Sequence, residues 1–93
     1  MPQNTDIAVG PGAWVLLTDA DVAEGTFQCR GAPVLLKATV GAVAPTNNLG
    51  AFLLKDGEGI TGALADHWRG VLGANRVYAK AQNFGTTVVV SHA

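Results

Sequence analysis

The sequence predicts an all-β fold, a single small β-sandwich or jelly-roll-like barrel of about six to eight short strands. Twelve glycines and four prolines divide the chain into segments of about five to eight residues, a length typical of strands. Several segments alternate apolar and polar side chains with a period of two, which places one face on a core. The length of 93 residues suits one domain, residues 1–93, of which residues 1–8 are expected to form an extended N-terminal arm.

Six strands are assigned from the alternation and from the glycines and prolines that bound them. In one segment Leu36, Ala38 and Val40 share a face, and Lys37 and Thr39 lie on the other. The last segment contains three consecutive valines, and β-branched residues favour a pleated strand. The predicted strands cover residues 13–17, 26–30, 33–40, 49–55, 76–81 and 86–91.

The connections between strands are assigned from turn-forming residues. Residues 44–50 are predicted to be a loop, because Pro45 and two asparagines favour turn geometries. The chain reverses at Asp56 and Gly57, either in a tight type I′ turn or in a longer loop with a bulge. Residues 62–70 form either a short helical turn or an irregular crossover.

Charge and cysteine content exclude several classes of partner. Six Lys and Arg stand against seven Asp and Glu with no basic run, so nucleic acid is not an expected partner. One cysteine cannot form an internal disulfide, and no Cys/His cluster suits a structural zinc ion. No run approaches the ~18 apolar residues of a membrane helix, and the N-terminus lacks a signal-peptide pattern. We therefore expect no membrane partner and synthesis in the cytoplasm.

The surface composition predicts self-association. Only 14% of the residues are charged, whereas about 25% is typical of soluble domains. A domain of this size also buries a modest core and is marginally stable when isolated. A surface that is partly covered by copies of the chain or by another protein would account for both features.

The sequence contains no recognised catalytic or metal-binding spacing. An EF-hand loop that starts at Asp19 would have Glu24 at its sixth position and Arg30 at its twelfth, where glycine and glutamate are required. His67 and His92 lack a clear third ligand, so they are interpreted as surface or interface residues. We expect a protein that is not an enzyme and that binds no cofactor and no metal.

The remaining distinctive side chains are assigned by strand phase. Cys29 alternates with Phe27, which predicts a buried small hydrophobe rather than a nucleophile. Trp14 begins an apolar strand and is expected in the core. Tyr78 is expected on a mixed polar face that suits contact with another protein, because Tyr and Arg are enriched at interfaces. The candidate interface residues are Lys37, Arg76, Tyr78 and Lys80.

The order of these features resembles that of a known group of proteins. The chain runs from Trp14-Val15-Leu16-Leu17 through Gly25-Thr26-Phe27-Gln28 and Pro33-Val34-Leu35-Leu36 to Arg76-Val77-Tyr78-Ala79 and a valine-rich end. Over about residues 9–92 it resembles the small β-rich structural proteins of tailed bacteriophages.

This resemblance implies a virion protein made in the cytoplasm of the bacterial host. It implies a capsid decoration (cement) protein or a tail-associated module that forms a homo-oligomer. Such a module docks on a larger virion protein, such as the major capsid protein or a tail protein, and carries no catalytic residue. The alternative from another class is a carbohydrate- or small-ligand-binding β-sandwich, adhesin-like in function, with Tyr78 or Trp68 as the aromatic platform.

Overall fold

The computed structural model describes residues 3–92, which form eight strands and one short helix. The bounds of these elements, in chain order, are β1 (Gln3–Val9), β2 (Val15–Leu16), β3 (Glu24–Gly31), β4 (Val34–Thr39), β5 (Phe52–Leu54), β6 (Gly59–Ala63), α1 (Leu64–His67), β7 (Arg76–Ala81) and β8 (Thr86–His92).

The strands form two four-stranded antiparallel sheets. Sheet I has the order β1-β8-β3-β6, and sheet II has the order β2-β7-β4-β5. The pairs β4·β5, β3·β6, β2·β7 and β1·β8 are nested, as if one long hairpin were folded over on itself. This nesting across two sheets is a jelly roll, so the predicted fold class is confirmed.

The core lies between the two sheets and is built by every second residue of the central strands. Phe27 is the largest fully buried side chain, and Cys29 is buried beside it on β3, as the sequence predicted. The Cys29 thiol donates a hydrogen bond to the carbonyl oxygen of Ala32 at 3.1 Å. Complete burial of a Val, Leu or Phe side chain contributes about 1.5–3 kcal/mol to the stability of the fold. The other fully buried core side chains on the central strands are Val34, Leu36, Val77, Ala79, Ala81, Val88 and Val90.

Two strands were not predicted. The residues assigned to an arm form β1 from Gln3 onward, and β1 pairs with β8 at every position; Met1 and Pro2 lie outside the described residues. β1 lies at the edge of sheet I, where backbone hydrogen bonds hold a strand whatever its side-chain pattern. β6 was missed because two of its five residues are glycine, a poor strand former. At Gly59 a Cβ atom would lie 2.8 Å from the carbonyl oxygen of Phe27, so this position has no room for a side chain.

The two uncertain connections are resolved by the structure. Residues 55–58 form a turn, closed by a 2.9 Å bond from the Glu58 amide to the Lys55 carbonyl, which takes the chain from sheet II to sheet I. Residues 64–67 form the single helical turn α1, whose first residue, Leu64, is buried. The Leu64 amide donates to the carbonyl of Ala23 at 2.9 Å, which fixes this turn at the end of the sandwich.

Candidate docking surface

The four candidate interface residues lie on the outer face of sheet II. β4 and β7 are neighbouring antiparallel strands, and Lys37 lies directly opposite Tyr78. Arg76 and Lys80 flank Tyr78 along β7 at the spacing of two residues that keeps side chains on one face. The strand phase of all four residues was therefore predicted correctly from the sequence.

The expectation that Tyr78 is exposed is wrong, because only 5% of its surface is accessible. The two lysines next to it, Lys37 on β4 and Lys80 on β7, reach the loop formed by residues 40–51. Lys37 Nζ donates to the carbonyl and side-chain oxygens of Asn47 at 3.3 and 3.2 Å, and Lys80 Nζ donates to Asn48 Oδ1 at 3.4 Å. Period-two alternation identifies the face of a strand, but it does not tell whether a distant loop covers that face.

The other end of the same face is tied to the segment before β3. Arg76 Nε donates to Asp21 Oδ1 at 2.9 Å, and Asp21 remains largely exposed. Lys80 Nζ also lies 5.9 Å from the ring centroid of Trp14, a cation–π geometry. Trp14 is half-buried and lies outside the core cluster, so its predicted core position is wrong. All three cationic side chains thus hold loops of their own chain.

Five of the seven large apolar side chains that are exposed in the described residues lie in the loop before β5 and in β5 itself. We call residues 40–53 the apolar segment. Leu49 has 78% of its surface accessible, and Val40, predicted to continue the buried face of β4, lies beyond the end of that strand and is 55% exposed. Residues 38–54 include no Asp, Glu, Lys or Arg. The large exposed apolar side chains of the segment are Val40, Val43, Leu49, Phe52 and Leu53.

A shallow groove of about 530 Å³ runs along the first part of the apolar segment. Val40, Val43 and Pro45 line it on the loop side, and Val71, from the connection before β7, lines it on the other. Lys37, Thr39, Thr46 and Asn47 add polar groups to the lining. A mainly apolar lining with one charged residue is typical of a protein-contact surface, whose centre is depleted in charge.

Residues 44–50 were correctly predicted as a loop, but the exposure of the apolar side chains in and around this loop was not predicted. The available signal was the set of valines and leucines between turn-forming residues, where a solvated loop normally carries polar side chains. The long interval without a charged residue was a second signal.

The aromatic side chains offered as a ligand platform are not available for stacking. Trp68 is 5% exposed, and its ring centroid lies 5.4 Å from that of Phe52 at a tilt of 46°. This pair anchors β5 against the turn that contains α1. Because Tyr78 is also buried, neither residue presents a ring face to a sugar.

The two histidines lie in different environments. His67 Nε2 is 3.0 Å from the carbonyl oxygen of Thr61 and stays near the surface. His92 is buried, contrary to the surface or interface role predicted for it. Its Nε2 donates to Gln3 Oε1 at 2.6 Å and lies 3.3 Å from Asp19 Oδ1, which ties the ends of β8 and β1 to the turn after β2. Within residues 3–92, no three His, Cys, Asp or Glu side chains are grouped as metal ligands.

Fold and surface together define a small jelly-roll protein with a charge-free apolar segment on one side. Comparisons of the chain with family models, with curated proteins and with solved structures give no match. In the described part of the chain, no helix has the length and apolar character needed to cross a membrane.

Proposed function

We propose that this chain is a non-enzymatic virion structural protein of a tailed bacteriophage. In this proposal it is a capsid decoration or tail-associated module that self-associates and docks on a larger virion protein through the apolar segment. The observation that carries the docking proposal is the concentration of exposed apolar side chains in residues 40–53. Contiguous exposed apolar surface on a small domain is typical of an interaction site.

The energetics of the apolar segment suit docking. Burying a fully exposed Leu or Val side chain contributes about 1.5–3 kcal/mol, so Leu49 and Val43 together can supply a substantial part of a micromolar affinity, which is about 8 kcal/mol. The hydrogen bonds from Lys37 and Lys80 hold the loop across sheet II before any partner arrives. A loop that is already ordered loses less conformational entropy on binding.

The fold is compatible with this role without determining it. Jelly rolls occur in viral capsid proteins, in lectins and in cupins, so function depends on the particular surface. The virion assignment is supported by the resemblance in the order of strands and aromatic residues described above. Inside the virion, the partner would offer an apolar surface of low charge that matches residues 38–54.

Co-sedimentation with assembled particles tests the docking proposal. Purified protein is mixed with particles that lack it, and the particles are pelleted. The test variant is the double substitution Val43→Ser and Leu49→Ser. The control is Leu72→Ser with Phe84→Ser, two side chains that are equally exposed but lie outside the apolar segment.

We expect wild type and the control to pellet and the test variant to bind at least tenfold more weakly, since about 1.4 kcal/mol is enough for that loss. Wild type that stays in the supernatant would refute docking on such particles. A test variant that pellets as well as wild type would show that another surface makes the contact.

A further inference from the structure

Sheet I ends in a long strand whose outer edge has no partner. β1 spans seven residues, whereas the other three edge strands, β2, β5 and β6, span two, three and five. No backbone hydrogen bond of residues 4–8 is formed on the side away from β8 within the described chain. The amide and carbonyl groups on that side are therefore available to another strand.

The β1 edge lacks the features that usually prevent strand pairing. Sheet edges are commonly protected by lysine, by proline, by a bulge or by shortness. The strand contains no Lys, Arg or Pro, and its register with β8 runs without a bulge from Gln3 opposite His92 to Val9 opposite Thr86. Asp6 is its single charged residue.

A second copy of the chain is the partner that fits this edge. Antiparallel strands related by a two-fold axis present identical edges to each other, so every donor on one copy meets an acceptor on the other. No other surface or sequence has to be invoked. The pairing would join the two copies of sheet I into one continuous eight-stranded sheet.

We propose that two copies pair antiparallel through β1, with the two-fold axis at Ile7. This inference rests on the self-association in the proposed function and assigns it to one surface. Ile7 is half-buried and packs against the core from the edge of the sheet. Its exposed part is covered when the same residue of the second copy lies opposite.

The register follows from the side chains of β1. In a symmetric antiparallel pair one residue lies opposite itself, and the residues that face each other share a side of the sheet. An axis at Asp6 places two carboxylates opposite each other, which is destabilising. An axis at Thr5 leaves Ile7 opposite Gln3. An axis at Ile7 places Asp6 opposite Ala8 and Thr5 opposite Val9, so the charges separate and the apolar side chains meet.

This dimer leaves the apolar segment free for the larger partner. Gln3, at the start of β1, lies next to the residue that follows β2, because Gln3 Nε2 donates to the Leu17 carbonyl at 3.0 Å. β5 is the edge strand at the other end of sheet II, next to Trp68. Self-association and docking therefore use opposite sides of the sandwich.

Disulfide trapping tests the register. Three variants that each add one cysteine to the native Cys29, namely Thr5→Cys, Asp6→Cys and Ile7→Cys, mark the residue that lies opposite itself in one of the three registers. Directly opposed residues have Cα atoms about 4.5–5.5 Å apart, within the range of a disulfide. Wild type is the control, because its native Cys29 is buried. After mild oxidation we expect a cross-linked dimer from Ile7→Cys, several-fold more abundant than from the other two variants.

Two substitutions of opposite charge at the exposed residue Ala8 test the interface without disturbing the fold. In the Ile7 register, Ala8→Lys places an ammonium opposite Asp6 of the other copy, and Ala8→Glu places a carboxylate there. Analytical ultracentrifugation should show a dimer Kd lower by roughly threefold for Ala8→Lys and higher by roughly threefold for Ala8→Glu, and the difference should shrink in high salt.

The outcomes separate this inference from the proposed function. A dimer that gives no cross-link from β1 and does not respond to charge at Ala8 would overturn the β1 interface and leave self-association standing. A monomer of 9.5 kDa at tens of micromolar would overturn self-association itself, while the particle assay would still decide docking. Preferred cross-linking at Thr5 or Asp6 would overturn the register.

Discussion

The outer faces of the two sheets differ although both sheets cover the same core. On sheet II, Tyr78 is buried, because the loop of residues 40–51 and the side chain of Trp14 lie across its neighbours Lys37 and Lys80. On sheet I, the equivalent face is open to solvent along β3, where Thr26, Gln28 and Arg30 are exposed. Thr26 and Thr61, for example, are exposed and hydrogen-bond to each other at 2.6 Å.

The two sheets also differ in the length of their edge strands. Sheet II ends in strands of two and three residues, which are too short to form more than a few hydrogen bonds with a strand of another chain. Sheet I ends in the seven-residue β1. Sheet II therefore offers side chains, through the apolar segment, whereas sheet I offers backbone hydrogen bonds. One small sandwich thus presents two chemically distinct exposed surfaces.

The largest expected effect concerns the covered face of sheet II. Tyr78→Ala removes a buried aromatic ring, and such truncations cost about 3–5 kcal/mol of unfolding free energy. Val89→Ala is the matched change on the outer face of sheet I, where Val89 is only half-buried on the central strand β8. We expect a smaller loss there, of about 1 kcal/mol, because the truncation removes two methyl groups from a side chain that is already partly solvated. Urea unfolding curves measure both, and equal losses would show that the two faces are covered alike.

A smaller effect is expected where β6 approaches β3. Gly59→Ala places a Cβ atom 2.8 Å from the Phe27 carbonyl oxygen, so the strand must move. Overpacking of this kind typically costs about 1–3 kcal/mol. Gly12→Ala is the control, since a Cβ atom at Gly12 has no heavy atom within 4 Å. The thermal unfolding midpoint should fall for Gly59→Ala alone; a drop of the same size in both variants would contradict the close approach.

The smallest expected effect concerns the loop that covers sheet II. Lys37→Ala removes the two hydrogen bonds to Asn47, which are exposed and contribute less than about 1 kcal/mol to global stability. Local opening should nevertheless increase, so amide hydrogen exchange should accelerate in residues 40–51 and stay unchanged in β8. Lys55→Ala is the control, because Lys55 Nζ forms no hydrogen bond or ion pair in the described part of the chain, and the bond from Lys55 to Glu58 Oε1 is donated by the backbone amide. Unchanged exchange in both variants would show that the loop is held by other contacts.

Prediction from the sequence succeeded where local periodicity coincides with burial. β7 has the predicted bounds, β8 differs by one residue, and Cys29 lies in the core. It failed at β1 and β6, whose polar or glycine-containing sequences give no alternation. It also failed at Tyr78, where the strand phase was correct and the exposure was not.

Local sequence patterns were sufficient to predict the class of the fold, the central strands and the inward face of each one. These follow from the period of two and from the residues that interrupt it, which act over a few neighbouring positions. The nested strand order became visible only in the folded chain. The same is true of the covering of Tyr78, the exposure of the apolar segment and the open edge of β1. Each of these depends on which distant segments meet, as when β1 pairs with β8 at the opposite end of the chain. Any two strands can satisfy each other's backbone amide and carbonyl groups, whatever side chains they carry. Local sequence patterns therefore do not specify which strands pair.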